Sequence, residues 1–197
     1  MPWSDDTFIA SFDAELGALA DEALCTDAQK ILWFNEGQAR LLKKKATYDD
    51  VTWAVGDRTI PLPADFIKLD KIVPDDGVSM LPWRVWGNTL ILDDPEGADE
   101  SGTARVYFWG EWTEMDSSTI ATDLTLAQDH ACLYYALSRF YRRISSNRAF
   151  YKRYATLVGQ NAVSMTDLQQ EADRYYQDFL DSREDLDPDP PASFYTE

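Results

Sequence analysis

The chain has 197 residues, of which 45 % are hydrophobic and 27 % are charged. This size allows one domain, or one domain with extended arms, whose packed core needs no disulfides or metals. The 35 acidic and 18 basic side chains give a formal net charge of −17. A field of this sign repels phosphate, so the composition argues against tight nucleic-acid binding and against adhesion to an anionic membrane. The acidic side chains either form the ordinary surface of a soluble protein or, in part, form a face that keeps DNA from adhering.

Two amphipathic helices are predicted in the first 45 residues. Ser4 is a suitable N-cap for the first helix, because two acidic residues follow it in the first turn, and the pattern extends to Ala20. The second helix is expected to begin at Thr26 and to end at about Lys45. Three consecutive lysines at that point suit a helix C-terminus.

Short alternating segments predict antiparallel β structure over residues 48–110. A hairpin is expected over residues 51–62, with a Gly-Asp turn at its tip, and a strand over residues 66–73. Two further strands are expected on either side of a Gly-Asn turn at residues 87–88. The last strand spans residues 104–109.

The most regular helical pattern in the chain begins at Leu126. Apolar and aromatic residues recur there at steps of three and four, which places them on one face of a helix. This face consists of Leu126, His130, Leu133, Leu137, Phe140 and Ile144. A break is expected over residues 145–147, a second helical segment ends at Gly159, and Thr166 with Asp167 caps a last helix.

Positive charge concentrates around this break. No Asp or Glu lies between residues 139 and 153, in a chain that is otherwise strongly acidic. The basic side chains in this interval are Arg139, Arg142, Arg143, Arg148, Lys152 and Arg153. We call these six residues the basic stretch, and it is the clearest local reversal of charge in the sequence.

The composition changes again at residue 184. Residues 184–197 contain three prolines and no Lys or Arg, which is typical of an extended or disordered segment. Phe194 and Tyr195 lie near its end. They are either an anchor for a groove on a partner or chance aromatics of a frayed terminus.

Residues that commonly carry catalysis are few. Cys25 and Cys132 lie on apolar helical stretches, as small buried side chains do. His130, the only histidine, is two positions from Cys132, and residues two apart on a helix do not face each other. We therefore expect His130 in the core or at an interface, no metal site, no cofactor and no enzymatic activity.

The sequence also lacks targeting signals. Its first residues are acidic and have no apolar segment of a signal peptide. No run approaches the roughly 18 apolar residues of a membrane span. We expect a protein that is made in a cytoplasm and has no membrane partner.

These elements together predict a mainly α protein. We expect a bundle of about four helices, formed by residues 4–45 and 124–183, with a small antiparallel β module inserted over residues 48–110. Residues 1–183 would form one domain, and residues 184–197 would form an extended, acidic and Pro-rich tail.

Several short motifs occur in an order that is found in one family. Residues 62–66, Leu-Pro-Ala-Asp-Phe, lie near the start of the β module, and residues 107–110, Tyr-Phe-Trp-Gly, end its last strand. A Leu-rich helix and a Tyr-Lys-Arg-Tyr segment at residues 151–154 follow. From Phe8 to Leu180 the chain thereby resembles the head–tail connector (adaptor) proteins of tailed bacteriophages, which lie under the portal ring.

The resemblance implies a virion structural protein of the neck. It implies a homo-oligomeric ring, often of twelve subunits, between the portal protein and the next neck or tail protein, with assembly from the host cytoplasm. Double-stranded DNA would pass through the ring without being held tightly. In such rings the C-terminal segment commonly docks on the portal, which would give Phe194 and Tyr195 that role.

Within such a ring we expect the basic stretch to lie at the interface between subunits. It can pair with acid on the neighbouring subunit, because each interface of a closed ring joins two different faces. The alternative is a belt of arginines that grips DNA directly. Two other functions stay open: a monomeric acidic binding module or assembly chaperone that uses its tail, and an enzyme that uses carboxylates of the β module.

Overall fold

A computed structural model describes residues 2–41, 45–55, 57–74, 83–92, 101–117 and 121–185. Within these ranges the chain has five α-helices and two three-stranded antiparallel sheets, so the fold is an α+β fold. The prediction of a mainly α bundle of about four helices is therefore wrong. The inserted strands are more than a small addition to a helical bundle, because they build two sheets around a core of their own.

The chain divides into two compact units. Residues Met1–Lys43 and Thr113–Glu197 form one unit, which we call the helical unit. Residues Lys44–Trp112 form the other, which we call the sheet unit. The sheet unit is thus inserted in the sequence of the helical unit.

The first helix begins at its predicted cap. Helix α1 spans Asp5–Leu16, and the Thr7 backbone N–H donates a hydrogen bond to Ser4 Oγ at 3.2 Å. The helix ends at Gly17, whose φ of 54° suits glycine. The predicted continuation to Ala20 is a 3₁₀ turn over Gly17–Leu19 instead.

The second helix is shorter than predicted. Helix α2 spans Asp27–Ala39 and begins after Thr26 as expected. Its predicted end at about Lys45 is wrong, because Lys45 already belongs to strand β1, Lys45–Trp53. The aromatic and β-branched residues of β1 pair with a distant strand, and this pairing outweighs the local signal of three lysines at a helix end.

The predicted break after the central helix is confirmed. Helix α3 spans Leu126–Ser146 and helix α4 spans Arg148–Val158. Thr125 and Gln128 form a capping box at the start of α3. Asn147 lies between the two helices in an extended conformation, and its side chain accepts a hydrogen bond from a backbone N–H of α4 at 2.9 Å.

The last helix, α5, spans Met165–Asp185. Helix α4 ends at Gly159, with a φ of 58°, as the sequence predicts. The predicted cap of α5 at Thr166 and Asp167 is two residues too late. Ser164 is the capping residue, because its Oγ accepts from the Asp167 N–H at 3.1 Å while the Asp167 carboxylate accepts from the Ser164 N–H at 3.0 Å.

Helix α3 supplies the largest part of the helical core. The predicted face is buried at Leu133, Leu137, Phe140 and Ile144. At its N-terminal end the prediction is wrong, because Leu126 is 50 % exposed and His130 is also exposed. The first turns of α3 direct Asp129 to the core instead, where its carboxylate has hydrogen-bond partners.

Aromatic contacts join α1 to the rest of the helical core. The ring centroids of Phe8 and Phe34 of α2 are 4.7 Å apart, and those of Phe12 and Phe140 of α3 are 5.9 Å apart. All four rings are fully buried. Edge-to-face and tilted contacts of this kind are favourable beyond the area that they bury.

The sheet unit contains two separate sheets. Its other strands are β2 (Thr59–Pro61), β3 (Phe66–Pro74), β4 (Trp83–Trp86), β5 (Thr89–Leu92) and β6 (Gly102–Gly110). One sheet has the order β1-β6-β3 and the other has the order β2-β5-β4. Every neighbouring pair is antiparallel.

The predicted hairpin over residues 51–62 is wrong, since its two strands belong to different sheets. Strand β1 pairs over all nine residues with β6, which offers far more hydrogen bonds than the three residues of β2. The predicted pair around residues 87–88 is confirmed as β4 and β5, with a φ of 59° at Gly87. Gly56 of the predicted hairpin tip lies outside the described residues.

A hydrophobic core of its own stabilises the sheet unit. It consists of Val51, Trp53, Ile60, Leu62, Leu90, Ala104, Val106 and Phe108. Gly102 lies opposite Trp53 in the register of β1 and β6. A Cβ atom at Gly102 would be 2.3 Å from Trp53 Cζ2, so the ring can pack there only against glycine.

Candidate functional site

Two arginines of the basic stretch hold α3 to its neighbours within the helical unit. Arg139 Nε lies 3.3 Å from a carboxylate oxygen of Glu36 on α2. Arg142 Nη2 lies 2.9 Å from a carboxylate oxygen of Asp173 on α5. Both pairs are partly exposed, so each contributes modestly to stability. The carboxylates that these two arginines contact belong to the same chain.

A third arginine of the basic stretch is also paired internally. Arg153 of α4 donates a hydrogen bond of 2.6 Å to Asp21, which lies between α1 and α2. This hydrogen bond holds the pKa of the Asp21 carboxyl below its usual value. The contact ties α4 to the N-terminal part of the helical unit.

Arg143 is held by aromatic rings. Its guanidinium carbon is 4.1 Å from the ring centroid of Phe150 and 6.0 Å from that of Trp33. Its Nε is buried and has no hydrogen-bond partner among the described residues. No carboxylate of the described ranges forms an ion pair with Arg143.

The remaining two basic residues, Arg148 and Lys152, are exposed on α4. Neither forms an ion pair with any residue that the structure describes. The six residues of the basic stretch are therefore not one patch. Three are paired within the chain, one is stacked on aromatic rings, and two present their charge to solvent.

A groove lies between α2 and the C-terminal half of α3. Its volume is about 300 Å³, and its lining residues are Trp33, Arg139, Arg142, Arg143 and Ser146. We call it the arginine groove. The sequence pattern singles out its three arginines as candidates, but it does not indicate Trp33 or a concave site.

Asp129 is a polar core residue in the first turn of α3. It is fully buried, and its carboxylate accepts hydrogen bonds from the Trp3 N–H at 3.0 Å and from the Thr122 hydroxyl at 2.9 Å. The Thr122 N–H donates to the Trp3 carbonyl at 2.7 Å. Burial raises the pKa of Asp129, against the effect of these hydrogen bonds.

The sequence contains a pattern that indicates the burial of Asp129. Asp129, Leu133, Ala136 and Phe140 are spaced by four, three and four residues, so they share one face of α3. The face that the apolar and aromatic residues define begins at Leu126 and excludes Asp129. A buried Asp is recognised only through its hydrogen-bond partners, which the sequence does not show.

Cys25, Cys132 and His130 belong to the residue types that most often carry nucleophilic or acid–base catalysis. Burial raises the pKa of Cys25 to about 12 and raises that of Cys132 as well, which disfavours a reactive thiolate. His130 packs its ring on Trp3 at 4.8 Å between centroids and is otherwise exposed. Among the described residues, no group of three or more His, Cys, Asp or Glu could hold a metal ion. The absence of an enzymatic activity stays a prediction.

Two aromatic side chains are exposed among the residues of the sheet unit whose burial the structure describes. Trp86 is 75 % exposed and precedes the turn between β4 and β5. Tyr48 of β1 is 56 % exposed and lies under the guanidinium of Arg105, at 4.5 Å, while Arg105 also pairs with Asp50 at 2.8 Å. Exposed aromatic residues are enriched in protein interfaces.

The two aromatic residues of the predicted tail, Phe194 and Tyr195, lie outside the described residues. Their docking on a portal stays a prediction. The described part of the chain contains no helix with the length and apolarity needed to cross a lipid bilayer.

No protein-family model matches this chain, and no curated protein sequence is significantly similar to it. Membership of the head–tail connector family stays a prediction from the short motifs at residues 62–66, 107–110 and 151–154.

Proposed function

We propose that the chain is a virion structural protein: a head–tail connector that forms a ring between the portal and the next neck or tail protein. The observation that supports this most is the order of its parts, in which a unit with its own sheets interrupts a helical unit between α2 and α3. This is the order that the motifs imply. The protein would be located in the neck of the virion, with twelve copies as the expected number.

The net charge of −17 suits passage of double-stranded DNA through such a ring. Binding to DNA strengthens with each phosphate that a basic side chain neutralises. Of the six basic residues that could form a DNA belt, Arg139, Arg142 and Arg153 already neutralise acid of their own chain. This favours a ring that DNA slides through over one that holds it.

Contacts between subunits are proposed for the two residues of the basic stretch that face solvent, Arg148 and Lys152. Each interface of a closed ring joins two different faces, so a basic face on α4 needs an acidic face on the neighbour. An acidic chain offers such faces readily. Exposed Trp86 is a second candidate contact, because aromatic residues anchor interfaces.

The proposal is tested by the mass of the purified protein, measured by light scattering alone and with the portal protein of the same virion. A ring is expected at about twelve times the 22.5 kDa of one chain in at least one condition. Arg148→Glu should reduce the ring and leave circular dichroism unchanged. The matched control is Arg174→Glu on α5, an exposed arginine outside the basic stretch.

A monomeric mass in both conditions would contradict the proposal that the protein forms a ring. The function would then be that of a monomeric acidic binding module or assembly chaperone. Equal loss of the ring in the Arg174→Glu control would show that overall charge, and not the face of α4, governs assembly.

A further inference from the structure

The arginine groove is a concave site whose charge is opposite to that of the whole chain. Its volume of about 300 Å³ is enough for one or two side chains of a partner. Three of its five lining residues are arginines, whereas the full sequence has nearly twice as many acidic as basic residues.

The positive charge of the groove is only partly neutralised. Arg139 and Arg142 each have one carboxylate partner, Glu36 and Asp173. Arg143 has none among the described residues. One unit of positive charge is therefore left without a counter-charge in the described part of the chain.

Arg143 is also positioned in advance for a ligand. Its guanidinium lies 4.1 Å from the Phe150 ring centroid, and buried Trp33 lies behind it at 6.0 Å. Stacking of this kind limits the side chain to few rotamers, so little entropy is lost when a ligand binds. Its Nε is buried and has no hydrogen-bond partner among the described residues, so at least one donor of the guanidinium is not satisfied within the described part of the chain.

We propose that the arginine groove binds a carboxylate from an acidic segment of a protein partner. A guanidinium matches a carboxylate through two parallel hydrogen bonds, and one side-chain carboxylate fits the volume. A DNA duplex is the poorer candidate. It would bring many phosphates against the carboxylates of Glu36 and Asp173 beside the groove.

The site is tested with the purified full chain and a fluorescein-labelled acidic peptide of sequence GDEDLDG, in fluorescence anisotropy at low salt. A peptide in which Asn and Gln replace Asp and Glu is the neutral probe. We expect saturable binding of the acidic peptide, weakened about tenfold or more by Arg143→Gln. Arg174→Gln, which removes an exposed arginine outside the groove, should change the affinity by less than about twofold.

Ser146→Asp is a second variant that leaves the stacked Arg143 in place. Ser146 is exposed at the rim, and an added carboxylate there should lower the affinity for the acidic peptide without unfolding the chain. Circular dichroism of both variants separates loss of the site from loss of the fold.

Three results would each contradict carboxylate binding in the arginine groove. They are no binding of the acidic peptide to the wild type, equal binding of both peptides, and an equal loss of affinity in Arg174→Gln and Arg143→Gln. Binding of a short DNA duplex in place of the peptide, with the same dependence on Arg143, would show that the ligand is phosphate. The inference does not rest on the proposed ring, because peptide binding and oligomer mass are separate measurements and either can fail alone.

Discussion

Asp129 is a buried carboxyl group that joins three segments of the helical unit. It accepts hydrogen bonds from Trp3 and Thr122, which are themselves joined by a backbone hydrogen bond. Replacing Asp129 by alanine would leave buried donors without an acceptor, at a cost of about 1–3 kcal/mol for each. The N-terminal segment, the segment before α3 and α3 itself therefore depend on one side chain.

The stability that Asp129 contributes should fall as the pH rises. Burial raises the pKa of Asp129 above its ordinary value of 3.8, so over a range above that value the folded state holds a proton that the unfolded state has released. The contribution is complete below pH 3.8 and is lost as the pH rises through the raised pKa. The free energy of unfolding of the wild type, measured with urea, should thus decrease relative to that of Asp129→Asn as the pH rises above 3.8.

Asp21 is the matched control, because the pKa of its carboxyl is lowered by Arg153. Stability from a lowered pKa is present above the ordinary value and is lost as the pH falls. The wild type should therefore lose stability relative to Asp21→Asn on acidification, the opposite direction to Asp129→Asn. The same pH dependence for both variants would contradict the roles assigned to these carboxyl groups.

At the scale of elements, α3 and α5 are joined by stacked rings and one ion pair. The rings of Tyr141 and Tyr175 are 5.6 Å apart and nearly parallel. Arg142 pairs with Asp173 and lies 5.7 Å from the Tyr176 ring centroid. Arg142 is therefore a helix-packing residue, although the sequence presents it as one of six similar basic residues.

Arg142→Glu should destabilise the helical unit. A glutamate at this position would repel Asp173, whose carboxylate oxygen now lies 2.9 Å from Arg142 Nη2. Because both groups are partly exposed, we expect a loss of about 1 kcal/mol in the free energy of unfolding, measured with urea. Asp173→Arg in the same chain should restore part of this loss.

Arg148→Glu tests the specificity of that loss. Arg148 is exposed and has no ion-pair partner among the described residues, so its replacement should change the free energy of unfolding by less than about 0.5 kcal/mol. An equal loss from Arg148→Glu and Arg142→Glu would show that net charge, and not the contact with Asp173, is responsible.

Most helix boundaries could be predicted from the sequence, whereas among the strands only the local pair β4 and β5 could be. Ser4 and Gly159 form hydrogen bonds with backbone groups within one turn, so their signals are local. Strand β1 pairs with β6, which follows it after four other strands, and no local pattern specifies that partner. The same holds for Arg139, Arg142 and Arg153, whose carboxylate partners lie on distant segments of the chain.

At the scale of the whole molecule, two units in one chain have separate cores. The sheet core is made only of residues between Val51 and Phe108, whereas α3 supplies the largest part of the core of the helical unit. A substitution that disturbs one core should therefore destabilise its own unit first. Gly102, which lies against Trp53, is the position that tests this most directly.

Gly102→Ala should destabilise the sheet unit by about 1–3 kcal/mol, the usual cost of overpacking. The added Cβ would lie 2.3 Å from the Trp53 ring, so either the ring or the pairing of β1 with β6 must shift. In hydrogen exchange we expect faster exchange of the amides of β1 and β6 and unchanged exchange in α3.

Gly87→Ala is the control for this last prediction, because Gly87 is also in the sheet unit but a Cβ added there would meet no atom within 4 Å. Its cost should come only from its φ of 59°, and it should be confined to the turn between β4 and β5. If Gly102→Ala speeds exchange in α3 as much as in β6, the two units unfold as one cooperative structure. If it leaves β6 protected, Trp53 has room to move and the close packing against glycine is not what fixes the register.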